Sequence, residues 1–169
     1  MVRKWGSSIL VAGSLLGFWG CSDSDGPTSA TPMPPGGLAS DVLAAMAEAL
    51  DDEYQAETIY ERVLADFGDV LPFFNVVRAE QRHSAVIARL YENRGMEAPS
   101  SQWSLDDVPR FGTIRAACEG AVEAETRNIE MYDRLLERSL PQDVALVFSN
   151  NRRASLENHL PAFRLCAGS

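Results

Sequence analysis

Glu80-Gln81-Arg82-His83 restricts how this chain can fold more than any other stretch. It lies inside an apolar-periodic run from Pro72 to Tyr91, so Glu80 and His83 fall on one face of a helix. That face also carries Val76, Ile87 and Leu90, which belong in a core. A carboxylate and an imidazole on a core-facing stripe must be paired or bound to a metal, because burying a lone charge is costly. The rest of the chain therefore has to bring partners to that height.

Three further segments have helical periodicity. Residues 40–67 carry Leu43, Met46, Leu50, Glu53, Glu57, Tyr60 and Leu64 at steps of three and four, with Ser40 as an N-cap and Gly68 closing the end. Residues 113–138 carry Ile114, Cys118, Val122, Glu125, Ile129, Tyr132 and Leu136. Residues 141–166 carry Val144, Val147, Phe148, Leu156, His159, Phe163 and Cys166. Pro161 interrupts that last pattern and should bend or break the helix just after His159. Short links join the first helix to the second and the third to the fourth, giving two antiparallel hairpins. Between them, Met96 to Gly112 contains Pro99, Pro109 and Gly112, with Trp103 and Leu105 as expected contacts. It is long enough to run end to end along a bundle. The fold class expected is all-α, an antiparallel four-helix bundle with one long crossover between the second and third helices.

In an antiparallel hairpin, residues equally far from the turn meet at one height. Glu57 and Glu80 are so placed in the first hairpin. Glu125 and Leu156 are so placed in the second, with His159 one turn further along. The spacing predicts that Glu57, Glu80, His83, Glu125 and His159 converge in the core as metal ligands, with Glu53 as a candidate sixth. The chain has only two His, and both fall in this layer. Glutamates with imidazoles suit iron or manganese, one or two ions, and zinc is acceptable. Tyr60 and Tyr132 lie near in helical phase and can hydrogen-bond ligating carboxylates. No residue stands out as a separate catalytic acid, base or nucleophile. The hairpins are weak copies: Ala56-Glu57-Thr58 recurs as Ala124-Glu125-Thr126, and Tyr60-Glu61-Arg62 as Tyr132-Asp133-Arg134, although the two matches differ in phase.

The segments Leu50-Asp51-Asp52-Glu53-Tyr54, Phe67-Gly68-Asp69-Val70, Ala79-Glu80-Gln81-Arg82-His83 and Glu157-Asn158-His159-Leu160-Pro161-Ala162-Phe163 resemble a bacterial and archaeal ferritin-like family of unknown function. The resemblance covers about residues 39–166 and implies the ferritin/rubrerythrin-type bundle. It also implies that Glu57, Glu80, His83, Glu125 and His159 match the superfamily's metal-ligand pattern. The chain departs from that pattern where the fourth helix would repeat Glu-x-x-His, because Leu156 stands at the Glu position.

The remainder bears on location. Residues 1–20 combine basic Arg3 and Lys4 with an apolar run, Ile9 to Trp19, that is too short to span a bilayer. Ending at Gly20-Cys21, the segment resembles a bacterial lipoprotein signal, with Cys21 as the lipidated residue. Ordinary cleavage nearby is the alternative. Residues 21–38, rich in Ser, Pro and Gly, read as a flexible tether, and residues 39–167 as the bundle domain. The expectation is an exported, membrane-anchored protein of the cell envelope, facing the periplasm or the cell surface. Losing Arg3 and Lys4 takes the formal charge from −9 to −11, which disfavours nucleic acid as a partner. A dimer is compatible with the sequence. No rubredoxin-like Cys cluster is present, so redox chemistry would need an external reductant. Cys118 and Cys166 fall near one end of the second hairpin. An oxidising compartment favours a disulfide between them, with free thiols or a redox pair as alternatives.

The function expected is metal binding, with ferroxidase- or peroxidase-like redox chemistry. A non-catalytic or vestigial bundle serving as scaffold, sensor or partner-binding module is the alternative.

Overall fold

A computed structural model describes residues 37–168. The signal segment, Cys21 and most of the tether lie outside the described residues. Leu38, placed in the tether by composition, is buried in the core with Val42 and Met46, so the packed domain includes it.

Among the described residues five α-helices occur in order: α1 (Ser40–Phe67), α2 (Phe73–Glu92), α3 (Ile114–Leu136), α4 (Gln142–Ala154) and α5 (Leu160–Ala167). A π-helical turn, Ser155–His159, joins α4 to α5, and its first and last residues have right-handed helical dihedrals. The fourth rod of the bundle is therefore α4, the π-turn and α5 together. Among the described residues there is no strand, and no helix is long and apolar enough to cross a membrane.

Local chemistry sets the ends. The Thr113 side chain caps α3 by accepting from the Ala116 N–H. The α1 start differs from the expectation: Ser40 is the first helical residue, and Ala39 before it offers no side-chain cap. Gly68, at φ 84°, ends α1 with its N–H on the Leu64 carbonyl, a backbone turn that a Cβ would strain.

The α2–α3 link runs along α1. Tyr54 donates to the Pro99 carbonyl, Trp103 Nε1–H donates to Asp51, and Arg110 pairs with Asp66. These contacts climb α1 from its middle to its end, so α3 starts at the end where α1 finishes. Consequently α1 and α3 are antiparallel, as are α2 and the fourth rod. Val108 is the crossover's buried anchor, whereas Leu105 is 37% exposed. Phe111 fills the space at Gly120, where an added Cβ would come within 2.6 Å of its ring.

Two apolar layers pack above and below a polar waist. One holds Met46, Leu50, Leu135 and Phe148, and the other Val63, Phe73, Cys118 and Phe163. The waist between them is acidic. A disulfide joins Cys118 to Cys166, with Cα atoms 5.8 Å apart, and ties the start of α3 to the end of α5.

Candidate metal centre

At the waist, α1 contributes Glu53, α2 contributes Glu80 and His83, α3 contributes Glu125, and the π-turn contributes His159. The three glutamates and His159 are each no more than 4% exposed. Two groups form, Glu53–Glu80–His83 and Glu80–Glu125–His159, with one ligand atom per residue all within 4.8 Å of one another. Each group can hold a metal ion, and Glu80 belongs to both.

The geometry has an approximate twofold symmetry. His83 Nδ1 lies 2.9 Å from Glu80 Oε2 and 3.3 Å from Glu53 Oε2. His159 Nδ1 lies 2.9 Å from Glu80 Oε1 and 3.5 Å from Glu125 Oε2. The two oxygens of Glu80 thus face different histidines, whose rings stack with centroids 5.4 Å apart. Each outer carboxylate is held by a tyrosine from across the bundle. Tyr60 donates to Glu125 Oε1 at 2.6 Å, and Tyr132 donates to Glu53 Oε1. Asn151 supports that second pair, donating to both Glu53 and the Tyr132 oxygen.

Glu53 Oε2, Glu80 Oε1, Glu125 Oε2 and His159 Nδ1 are buried and make no well-aligned hydrogen bond, their nearest polar neighbours being one another and His83 in imidazole–carboxylate ion pairs. Buried polar atoms are nearly always satisfied, so four orphans facing one another need an explanation. Divalent cations shared between the two groups would satisfy all four. The donors are carboxylate oxygens and imidazole nitrogens, a set that fits iron, manganese or zinc.

The charges are strongly coupled. Burial alone would pull His83 down, but Glu53 and Glu80 outweigh it and raise its pKa to about 9. Burial likewise opposes His159, and Glu125 and Glu80 raise it to about 10. Burial pushes Glu53 up to about 7, with His83 opposing. Burial also pushes Glu80 up, yet the two histidines prevail and its pKa falls below the usual carboxylate value. Both tyrosines are pushed well above their ordinary range, by burial first and then by the adjoining carboxylates, so they remain donors.

Glu57, the expected carboxylate of the first helix, lies outside both groups. It reaches the right height, since Ser84 of α2 approaches it at 3.5 Å, but it is only half-buried and on the flank of α1. Glu53 occupies the place assigned to it. Leu156, expected on the inward side, is 39% exposed. The π-turn has a wider repeat than an α-helix, which brings Ser155 and His159 onto one face. Ser155 is fully buried and donates to Asn128 Oδ1, while Asn128 donates in turn to Asp52. Pro161 follows an interruption of the α-helix, as expected, but this is a widened turn that ends at His159 rather than a bend just after it. The Asp52–Asn128–Ser155 chain was not legible beforehand. The only clue was a run of polar residues, Asp52 and Asn128, beside two stripe glutamates.

The tyrosine hydrogen bonds give a direct expectation. Tyr132→Phe leaves the Glu53 carboxylate without its cross-bundle donor and should weaken metal binding by ~10–100-fold, the range for such supporting contacts. Competition against a chelator of known affinity measures it. The stability of the metal-free protein should change by only ~1–3 kcal/mol.

No family model, no curated protein and no solved structure matches this chain.

Proposed function

We propose that this chain is an exported, ferritin-like protein that binds a pair of iron or manganese ions in its bundle and serves ferroxidase- or peroxidase-type redox chemistry. The observation that carries this reading is the set of four buried ligand atoms around Glu80 that make no well-aligned hydrogen bond. Glu53 with His83 would hold one ion, Glu125 with His159 the other, and Glu80 would link them through its two oxygens. Such a pair would exchange electrons with dioxygen or peroxide. Tyr60 and Tyr132 fix the outer carboxylates, the apolar layers flank the waist on either side, and electrons come from an external reductant. The antiparallel pairing of α1 with α3 and the long crossover support a ferritin-like topology. Residues 1–21 support export and a lipid anchor on Cys21.

A second reading, a non-catalytic metal-binding scaffold or sensor, draws on one observation: the centre has three carboxylates, with Leu156 turned toward solvent.

Metal analysis of the full-length chain after anaerobic loading with Fe(II) tests both. Two irons per chain, falling to about one in His83→Ala, would support the first reading and justify oxidase and peroxidase assays. One zinc in place of iron would favour the second, and no metal at all would sink both.

A further inference from the structure

The two sides of the centre differ in their acidic lining. On the α1/α3 side, the clefts are lined by Asp52, Glu80 and Glu125, and further out by Glu48 and Asp51, with Arg127 and Arg134 among them. On the opposite side, between α2 and the fourth rod, a cavity of about 390 Å³ opens over His83 and His159 and contains no Asp or Glu. Its polar lining, besides the two imidazoles, is Arg82, Asn75 and Asn158. In a chain of formal charge −9, a cavity of this composition is a departure from the surrounding field. Arg82 makes no ion pair among the described residues. Arg78, one turn earlier on the same helix, is also exposed and adds a second cation to that edge. The space itself exists because Ala79, Ala154 and Ala162 face it from both walls.

The charge of the centre points the same way. Were two divalent cations bound, the three ligating carboxylates would neutralise only part of their charge, leaving a positive excess that a fourth would remove. The π-turn has taken the fourth position out of the core. We propose that the cavity between α2 and the fourth rod binds a small organic anion of the carboxylate class. Its acid group lies on the Arg82 side and its body lies over the alanines beside the histidines. The volume is at the small end for ligand pockets and suits a single-ring molecule. Asn75 and Asn158 supply donors for the acid group's second oxygen. This deepens the metal reading by naming the ligand class that reaches the centre. The binding itself depends on Arg82 and the cavity, whereas the ligand's role depends on the metal.

The test is a ¹⁹F NMR titration of the full-length chain, metal-free and zinc-loaded, with 4-fluorobenzoate and its neutral isostere 4-fluorobenzamide. The expected result is saturable binding of the benzoate, at least about tenfold weaker in Arg82→Gln, and no saturable binding of the benzamide. Ala162→Phe, which fills the cavity from its partly exposed wall, should abolish binding with the helical circular-dichroism signal retained. If neither form of the wild type binds the benzoate, or if Arg82→Gln and Ala162→Phe both bind it as the wild type does, the proposal is overturned. Zinc content of the same samples judges the metal reading separately. A chain that takes up no zinc but binds the benzoate through Arg82 would lose that reading and keep this site.

Discussion

Glu80→Gln should disable both halves of the centre at once, with a loss of metal affinity beyond the ~10–100-fold typical of outer supporting contacts. Glu80 alone faces both histidines, with one oxygen 2.9 Å from each Nδ1. Changes at Glu53 or His83 should spare the other group, and changes at Glu125 or His159 likewise. Glu80 should therefore be the only single position where metal content falls from two to none, measured by mass spectrometry after dialysis. The proton balance gives an independent readout. In the metal-free protein the His83 and His159 pKa values are raised to about 9 and about 10, so both rings are protonated at neutral pH. Metal must displace those protons, so its apparent affinity should climb as pH rises from 7 toward 9. The histidine contribution to metal-free stability runs the opposite way. It is fully present below the unfolded value near 6.5 and is lost as pH rises through 9 to 10. In Glu80→Gln both rings lose their shared carboxylate while burial still opposes charging. Their NMR titration midpoints should then drop, and the melting temperature should lose much of its decline above pH 7. Midpoints unchanged from the wild type would mean that Glu80 is not the shared partner.

The helical bundle, the two hairpins and the crossover could be read from hydrophobic periodicity and loop lengths, because both reflect burial directly. The centre was legible except where two registers compete. On α1, the stripe 43-46-50-53-57-60-64 and the seam 42-46-49-53-56-60-63 share Met46, Glu53 and Tyr60 and differ by one residue elsewhere. The structure buries Val42, Ala49, Ala56 and Val63 of the second, and of the positions peculiar to the first only Leu50. Ala56 is small and carries little periodic signal, so Glu57 beside it looked central although it is a flank residue. The internal repeat has the same two phases. Ala-Glu-Thr recurs in one phase, but the pairs that act alike are Glu53 with Tyr60 and Glu125 with Tyr132, each separated by seven residues. The π-turn was less legible still. Pro161 signals a missing backbone donor, yet whether the chain answers with a kink or a wider turn depends on packing. Here Ser155 finds Asn128, and Leu156 is released to solvent.

Cys166→Ala should cost the protein about 4 kcal/mol of stability, on the scale of truncating a fully buried Phe in the core. The bridge spans 48 residues, and closing a loop of that length in the unfolded chain accounts for a figure of that size. For a domain of this size, that corresponds to a fall in melting temperature of ~10–20 °C, read by calorimetry on wild type and variant under the same metal-free conditions. The placement of the bridge adds a functional consequence. Cys118 lies seven residues before Glu125, and Cys166 lies seven residues after His159, so the clamp sits two helical turns, ~10 Å, from the point where those ligands meet. It holds α5, a short helix behind a π-turn, against α3. Glu53 and His83 come from α1 and α2, which the bridge does not touch. Without it, the Glu125–His159 group should therefore lose metal before the Glu53–His83 group does. A titration with chelator should then show two steps in Cys166→Ala where the wild type shows one. Equal loss from both groups would mean that the bridge stabilises the bundle as a whole and has no particular hold on His159.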